Sequence, residues 1–208
     1  MSLAPLALLA LSLAAAGCTN RTPPAGPPEV STARTEPAAT GFAEVATPEQ
    51  VQTVRALLRA RHVEDLPDRA RLDSVGAAAS ALRTVAITDD LLVTRARALE
   101  RLGLYDSEDV VAFLVQQAGA ADVHPKLRAA AIEGLGHTDL TVRQEARDLL
   151  EGVVRGSDVR LALEAVEALR TLARSADLLK AIAADPTLAQ PVRDAAGRGA
   201  PPESLIVP

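Results

Sequence analysis

From about Pro48 onward the apolar residues of this chain fall at helical spacing. Val142, Ala146, Leu149 and Val153 share one helix face, and Val159, Leu163, Val166 and Leu169 share another, because residues three and four apart stack on the same side of an α-helical turn. The amphipathic run is interrupted at His62–Pro67, Thr88–Asp90, Gly103–Ser107, Gly119–Pro125, Gly136–Asp139, Gly156–Asp158, Arg174–Asp177 and Asp185–Pro191. These stretches are rich in the Gly, Pro, Asp and Ser residues that start or stop helices. Eight breaks predict nine helices of roughly ten to twenty residues. β-Branched and aromatic residues nowhere alternate over the length of a strand, so the expectation is an all-α domain.

Upstream the pattern changes twice. Leu3 to Ala16 is an uncharged apolar run that stops at Gly17-Cys18, and Cys18 is the only cysteine. A helix that crosses a bilayer needs about 20 apolar residues, so this run instead has the length of a secretory h-region. Read from the residues alone it is a signal segment ending near Cys18, an ordinary signal peptide cut at Ala16 or Gly17, or an uncleaved apolar N-terminus. Residues 19–47, beginning Thr19-Asn20 and including Pro23-Pro24 and Pro27-Pro28, then show no apolar period. Such proline-rich chain is a semi-rigid tether, reaching on the order of 90 Å when extended and roughly 30 Å as a coil. Phe42 falls within it and is read as a residue packing loosely on the first helix.

Self-similarity bears on how the helices are arranged. Ala98-Leu99-Glu100-Arg101-Leu102, Ala131-Ile132-Glu133-Gly134-Leu135 and Ala165-Val166-Glu167-Ala168-Leu169 share one pattern at intervals of 33 and 34 residues. With two helices per interval, stacked antiparallel helical hairpins are expected, in which small alanines permit close approach and neighbouring hairpins bury a shared core.

Two family resemblances follow from these residues. Ala14-Ala15-Ala16-Gly17-Cys18 resembles the bacterial lipobox, which implies diacylation of Cys18, anchorage in the cell envelope, and removal of residues 1–17. Thr19 after the cysteine, by analogy with enteric lipoproteins, favours a periplasm-facing position on the outer membrane over the inner one. His124-Pro125-Lys126-Leu127-Arg128-Ala129-Ala130-Ala131-Ile132-Glu133-Gly134-Leu135-Gly136 resembles the repeat signature of the HEAT family in its short bacterial form. Its Val-Arg-x-x-Ala element recurs at Val142-Arg143 and Val192-Arg193, with Leu127-Arg128 as a variant and a degenerate copy at Val159-Arg160. The resemblance spans residues 89–199. Residues 48–88 join by helix length and by Ala81-Leu82-Arg83-Thr84-Val85-Ala86, which echoes Ala168-Leu169-Arg170-Thr171-Leu172-Ala173. It implies an α-solenoid of about four repeats over residues 48–200, with residues 201–208 as a C-terminal tail that either frays or docks on the last hairpin. In this family recurrent Asp and Arg bridge successive repeats. Asp139 and Asp158, near Arg143 and Arg160, fit that role or that of helix-start acids beside solvated arginines.

Candidate chemistry is sparse. His62 beside Glu64 and Asp65 is the nearest approach to a metal or acid–base cluster, but it lies where a helix ends. His124 precedes Pro125 in a turn, and His137 follows a helix C-terminus, where an imidazole interacts favourably with the dipole. No G-x-S-x-G elbow, phosphate-binding Gly loop or H-E-x-x-H occurs. No catalytic residue, metal ligand or cofactor is therefore expected, and the one site residue is the lipid-attachment Cys18.

A net charge of -5 disfavours nucleic acid. The only aromatics are Phe42, Tyr105 and Phe113, too few for a stacking platform. Phe113 reads as core, and Tyr105 as a turn residue partly packed with its hydroxyl in water. The arginines, scattered among Glu and Asp, read as a solvated face. The expected function is a membrane-anchored protein-interaction scaffold, monomeric, with a protein partner. A structural spacer or assembly factor of the envelope is the alternative, and an enzyme of HEAT-like fold is a third.

Overall fold

The computed structural model describes residues 42–60, 62, 65–138, 144–172 and 175–198, and among these every regular element is helical. Ten helices follow in order: α1 (Pro48–Leu58), α2 (Arg69–Asp73), α3 (Ala78–Thr88), α4 (Leu92–Leu102), α5 (Glu108–Gly119), α6 (Pro125–Gly136), α7 (Gln144–Val154), α8 (Val159–Thr171), α9 (Ala176–Ala184) and α10 (Gln190–Gly197). Four of the starts carry a side chain that satisfies a free N–H group of the first turn. Thr47 and Gln50 close a reciprocal capping box on α1, Thr47 Oγ1 accepting from Gln50 N at 3.3 Å and Gln50 Oε1 from Thr47 N at 2.8 Å. Asp68 caps α2, and Asp158 caps α8 by accepting from Arg160 N and Leu161 N. Asp158 therefore acts as a helix-start acid. Asp139 and Arg143 lie outside the described residues, as do Cys18 and the tail 201–208.

Nine helices were expected and ten are present among the described residues, because the segment read as one helix before Thr88 is two. Gly76 sits at φ 76° and Ala77 at φ 41°, left-handed values that end α2 and redirect the chain into α3. Gln50 Nε2 donates to Val75 O at 3.1 Å and fixes the turn against α1.

The helices pack in a regular sequence. α3 lies against α1 and α4; α4 adjoins α6, α6 adjoins α8, and α8 adjoins α10; α5 pairs with α6, α7 with α8 and α9 with α10, and α5 also touches α7. One continuous apolar core runs from Val51 and Val54 to Val192 and Ala196. The close spacing of α4 and α6 rests on two glycines. A Cβ at Gly103 would stand 2.2 Å from Gly134 O, and one at Gly134 would stand 2.6 Å from Leu99 O. One repeat later, a Cβ at Gly136 would meet Ala168 Cα at 3.0 Å, and Thr171 Oγ1 donates to Gly136 O at 2.6 Å.

Two apolar faces differ from their sequence reading. In α7 the buried residues are Ala146, Leu150 and Val154, with Leu149 and Val153 only partly covered, and Val142 lies outside the described residues. In α8 Val166 and Leu169 are buried as expected and Leu163 is partly so, but Val159 is exposed while Leu161, Ala162 and Ala165 are buried. The face of α8 is broad because α6, α7 and α10 all pack on it.

Many arginines are structural rather than solvated. Arg95 Nε donates to Ala86 O at 2.8 Å and Arg128 Nε to Ala118 O at 3.0 Å. Each thereby satisfies an end carbonyl of the preceding helix, α3 or α5, and the two arginines stand 33 positions apart. Arg97 Nη1 does the same for α1, bonding Leu58 O at 2.8 Å and Ala60 O at 2.7 Å. Arg170 bonds the carbonyl of Ala195 on α10.

Tyr105 is also repositioned. It is 2% exposed, and its hydroxyl donates to Asp73 Oδ1 at 2.9 Å instead of facing water. Arg69 lies 4.0 Å over its ring and bonds Leu104 O at 2.6 Å. Burial first, and the neighbouring Asp73 second, push the phenol pKa well above its ordinary value. Phe113 is buried, as expected. Phe42 packs away from the first helix: its ring meets Phe113 of α5 edge-on at 5.9 Å, with the Arg83 guanidinium 4.7 Å over it. Its N–H donates to Asp109. Burial pushes the Asp109 carboxyl up, but hydrogen bonds from Ser107 and Phe42 outweigh it and hold the pKa low. The ordered packing therefore includes Phe42.

Candidate functional site

The glycine contacts that draw α4, α6 and α8 together also set one glutamate of each helix in register. Glu100, Glu133 and Glu167 occupy the third place of the three repeated pentapeptides. Glu164, one turn before Glu167 on α8, joins them. Between α6 and α8 a cleft of about 250 Å³ is lined by Glu133, Glu164 and Glu167, with His137 and Thr171 at its edge and the Gly136–Ala168 contact beneath.

The electrostatics link all three helices. Glu100 is held above the ordinary glutamate pKa of 4.5 by burial and then by the charge of Glu133, against the opposing pull of Arg101, Arg97 and Lys126. Glu164 is raised by burial and then by Glu133, with Arg160 opposing and Glu167 adding to the shift. Glu133 thus interacts with carboxylates on both sides. The sequence contained this row, but glutamate there served only as a mark of the repeat; its charge matters once the helices are known to adjoin.

Stability should therefore depend on pH in a defined direction. A carboxyl whose pKa is raised by folding binds its proton more tightly in the native state, so stability falls as pH rises from 4.5 through the folded pKa. Asp109 and Asp185 carry lowered values, the latter through hydrogen bonds from Thr187 that outweigh burial, and lose their contribution as pH falls below 3.8. Melting temperature is expected to be higher near pH 5 than at pH 7. Glu100→Gln should flatten that rise; an identical pH profile in wild type and variant would remove Glu100 as its source.

The other candidates do not converge. His62 and Asp65 are exposed, Glu64 lies outside the described residues, and no group of three or more His, Cys, Asp or Glu able to hold a metal ion occurs among those described. His124 is a cap, its Nδ1 accepting from Lys126 N at 3.1 Å. His137 closes α6 and is exposed at the cleft. No helix among the described residues is long and apolar enough to cross a membrane. Comparison with protein-family models, with curated proteins and with solved structures finds no match.

Proposed function

We propose that this chain is a bacterial lipoprotein, tethered through acylated Cys18 to the periplasmic side of the outer membrane, whose helical hairpins stack as a short HEAT-like α-solenoid and serve as a protein-interaction scaffold. The observation that carries the reading is the recurrence of the same inter-helix contact one repeat apart, Gly103 on Gly134 and then Gly136 on Ala168. Repeated contacts of this kind stack equivalent helices side by side and create an extended surface. The paired caps from Arg95 and Arg128 support the same repetition.

The surface these contacts create is acidic across three helices, so the partner it fits presents a basic segment. Lysines or arginines arriving at Glu100, Glu133 and Glu164 would relieve the like-charge repulsion centred on Glu133, while Glu167 is already paired with Arg170 and Arg198; such relief favours association and speeds encounter. The spacer reading needs no such surface.

Cross-linking in the native bacterium, with tagged protein recovered from solubilised membranes, tests both parts of the proposal. One dominant partner is expected, lost in Cys18→Ala because the chain leaves the membrane fraction, and lost in Glu100→Gln/Glu133→Gln/Glu167→Gln while that variant keeps its helical circular dichroism. Unchanged membrane association of Cys18→Ala would remove the anchor. Capture that survives the triple substitution would remove the acidic row, and no partner above background would favour the spacer.

A further inference from the structure

The two ends of the helical series are finished differently. At the first end α1 covers α3 and α4, fastened by Arg97 and by the ion pair of Arg55 with the buried Asp89. At the other, α9 packs mainly on α10 and α8, and no described helix lies beyond it.

The exposed positions of α9 are Ala176, Asp177, Lys180, Ala181 and Ala184. Asp177 and Lys180 are its only polar residues, and its second half, Ala181-Ile182-Ala183-Ala184, has none. A helix apolar on more than one face is ordinarily covered on more than one side. Leu179 and Ile182 are spent on the core. What remains is an apolar groove of about 490 Å³ between α9 and α10, lined by Ala176, Leu179, Ala183, Ala184 and Ala196 together with Lys180 and Gly197.

The chain itself supplies a matching segment. The described residues end at Arg198, one position after Gly197 of the groove lining, so the polypeptide leaves beside the groove. The following residues are Gly199-Ala200-Pro201-Pro202-Glu203-Ser204-Leu205-Ile206-Val207-Pro208. Two prolines bar continuation of α10 and favour extended chain, and three consecutive large aliphatics come after them. Six residues separate Arg198 from Leu205, seven steps of chain with a reach of up to about 25 Å, whereas the nine residues of α9 span about 13 Å. The aliphatic triplet can therefore reach along the groove.

We propose that Leu205-Ile206-Val207 folds back into the groove between α9 and α10 and caps the open end of the helical series. A capped end leaves no apolar strip for a second copy to extend, which is the role terminal units play in stacked-repeat proteins. The capping is independent of the lipid anchor and of the acidic row.

Since the chain contains no tryptophan, Ile206→Trp in the full-length protein is a single-site fluorescence probe. The expected result is blue-shifted emission, shielded from iodide and unaltered by dilution. Adding Ala184→Glu, an exposed position on the groove wall, should return the emission to that of a solvent-exposed indole with circular dichroism unchanged. Ending the chain at Ala200 should speed amide exchange across Leu179–Ala184 several-fold and leave α4 and α6 untouched. Emission of an exposed indole in the parent, shielding that disappears on dilution because a second copy provides it, or shielding indifferent to Ala184→Glu would each overturn the proposal.

Discussion

Gly134→Ala is expected to destabilise the domain although it improves the intrinsic helix propensity of α6, while Gly152→Ala in α7 is expected to stabilise it. In a helix interior the exchange gains about 1 kcal/mol from propensity. At Gly152 a Cβ meets nothing within 4 Å, so that gain is realised. At Gly134 the same Cβ lies 2.6 Å from Leu99 O, a backbone atom of α4 that cannot rotate away, and 3.4 Å from Leu114 Cδ1. Separating two packed helices to relieve such an overlap costs about 1–3 kcal/mol or more, and it also loosens the side chains between them. A net loss of about 1–2 kcal/mol is expected, lowering the melting temperature by roughly 2–8 °C for a domain of this size. Gly103→Ala attacks the contact from the other side, its Cβ 2.2 Å from Gly134 O. Once either substitution has parted the helices the other adds little, so the double variant should fall well short of the sum. Additive losses in thermal or urea unfolding would show that the two glycines serve separate contacts.

This contact also marks how far the sequence can be read. Helix existence and the eight breaks were legible because Gly, Pro, Asp and Ser act locally, and every break has its counterpart among the helix ends of the structure. The turn at Gly76-Ala77 was missed because an alanine there adopts a left-handed conformation, held by Gln50 from a different helix. Tyr105 and Phe42 were misplaced for the same reason: Asp73, Arg69, Arg83 and Phe113 surround them only after folding. The arginine caps are the clearest case. Arg95, Arg97 and Arg128 looked like ordinary surface cations, since nothing local reveals that a carbonyl of a neighbouring helix will need a donor. The acidic row stands between these extremes. Its members were visible at repeat spacing, but their mutual repulsion depends on the distance between α4, α6 and α8, which the glycines determine.

Asp89 should be the most costly carboxylate to remove. Its side chain is 1% exposed and accepts from Arg55 Nε at 2.6 Å, from Arg59 Nη2 at 3.4 Å and from Leu91 N at 2.9 Å. It therefore joins the turn between α3 and α4 to the last turns of α1. Breaking a fully buried pair costs about 3–5 kcal/mol because a charge is stranded. Here the stranded groups are arginines that reach solvent, Arg55 at 21% and Arg59 at 48% exposure, so Asp89→Ala is expected to cost about 2–3 kcal/mol, with screening reducing the ion-pair share. Asp89→Asn keeps an acceptor for Leu91 N and a similar volume, and should recover part of the loss. The damage should also be local. α1 is held otherwise by Arg97 and by Val51, Val54 and Leu58 in the core, so in Asp89→Ala its amides should exchange well ahead of those in α6, where wild type protects both. Uniformly faster exchange across every helix would mean that α1 is not a separable unit, and that Asp89 stabilises the whole domain through the α3–α4 turn rather than by clasping its first helix.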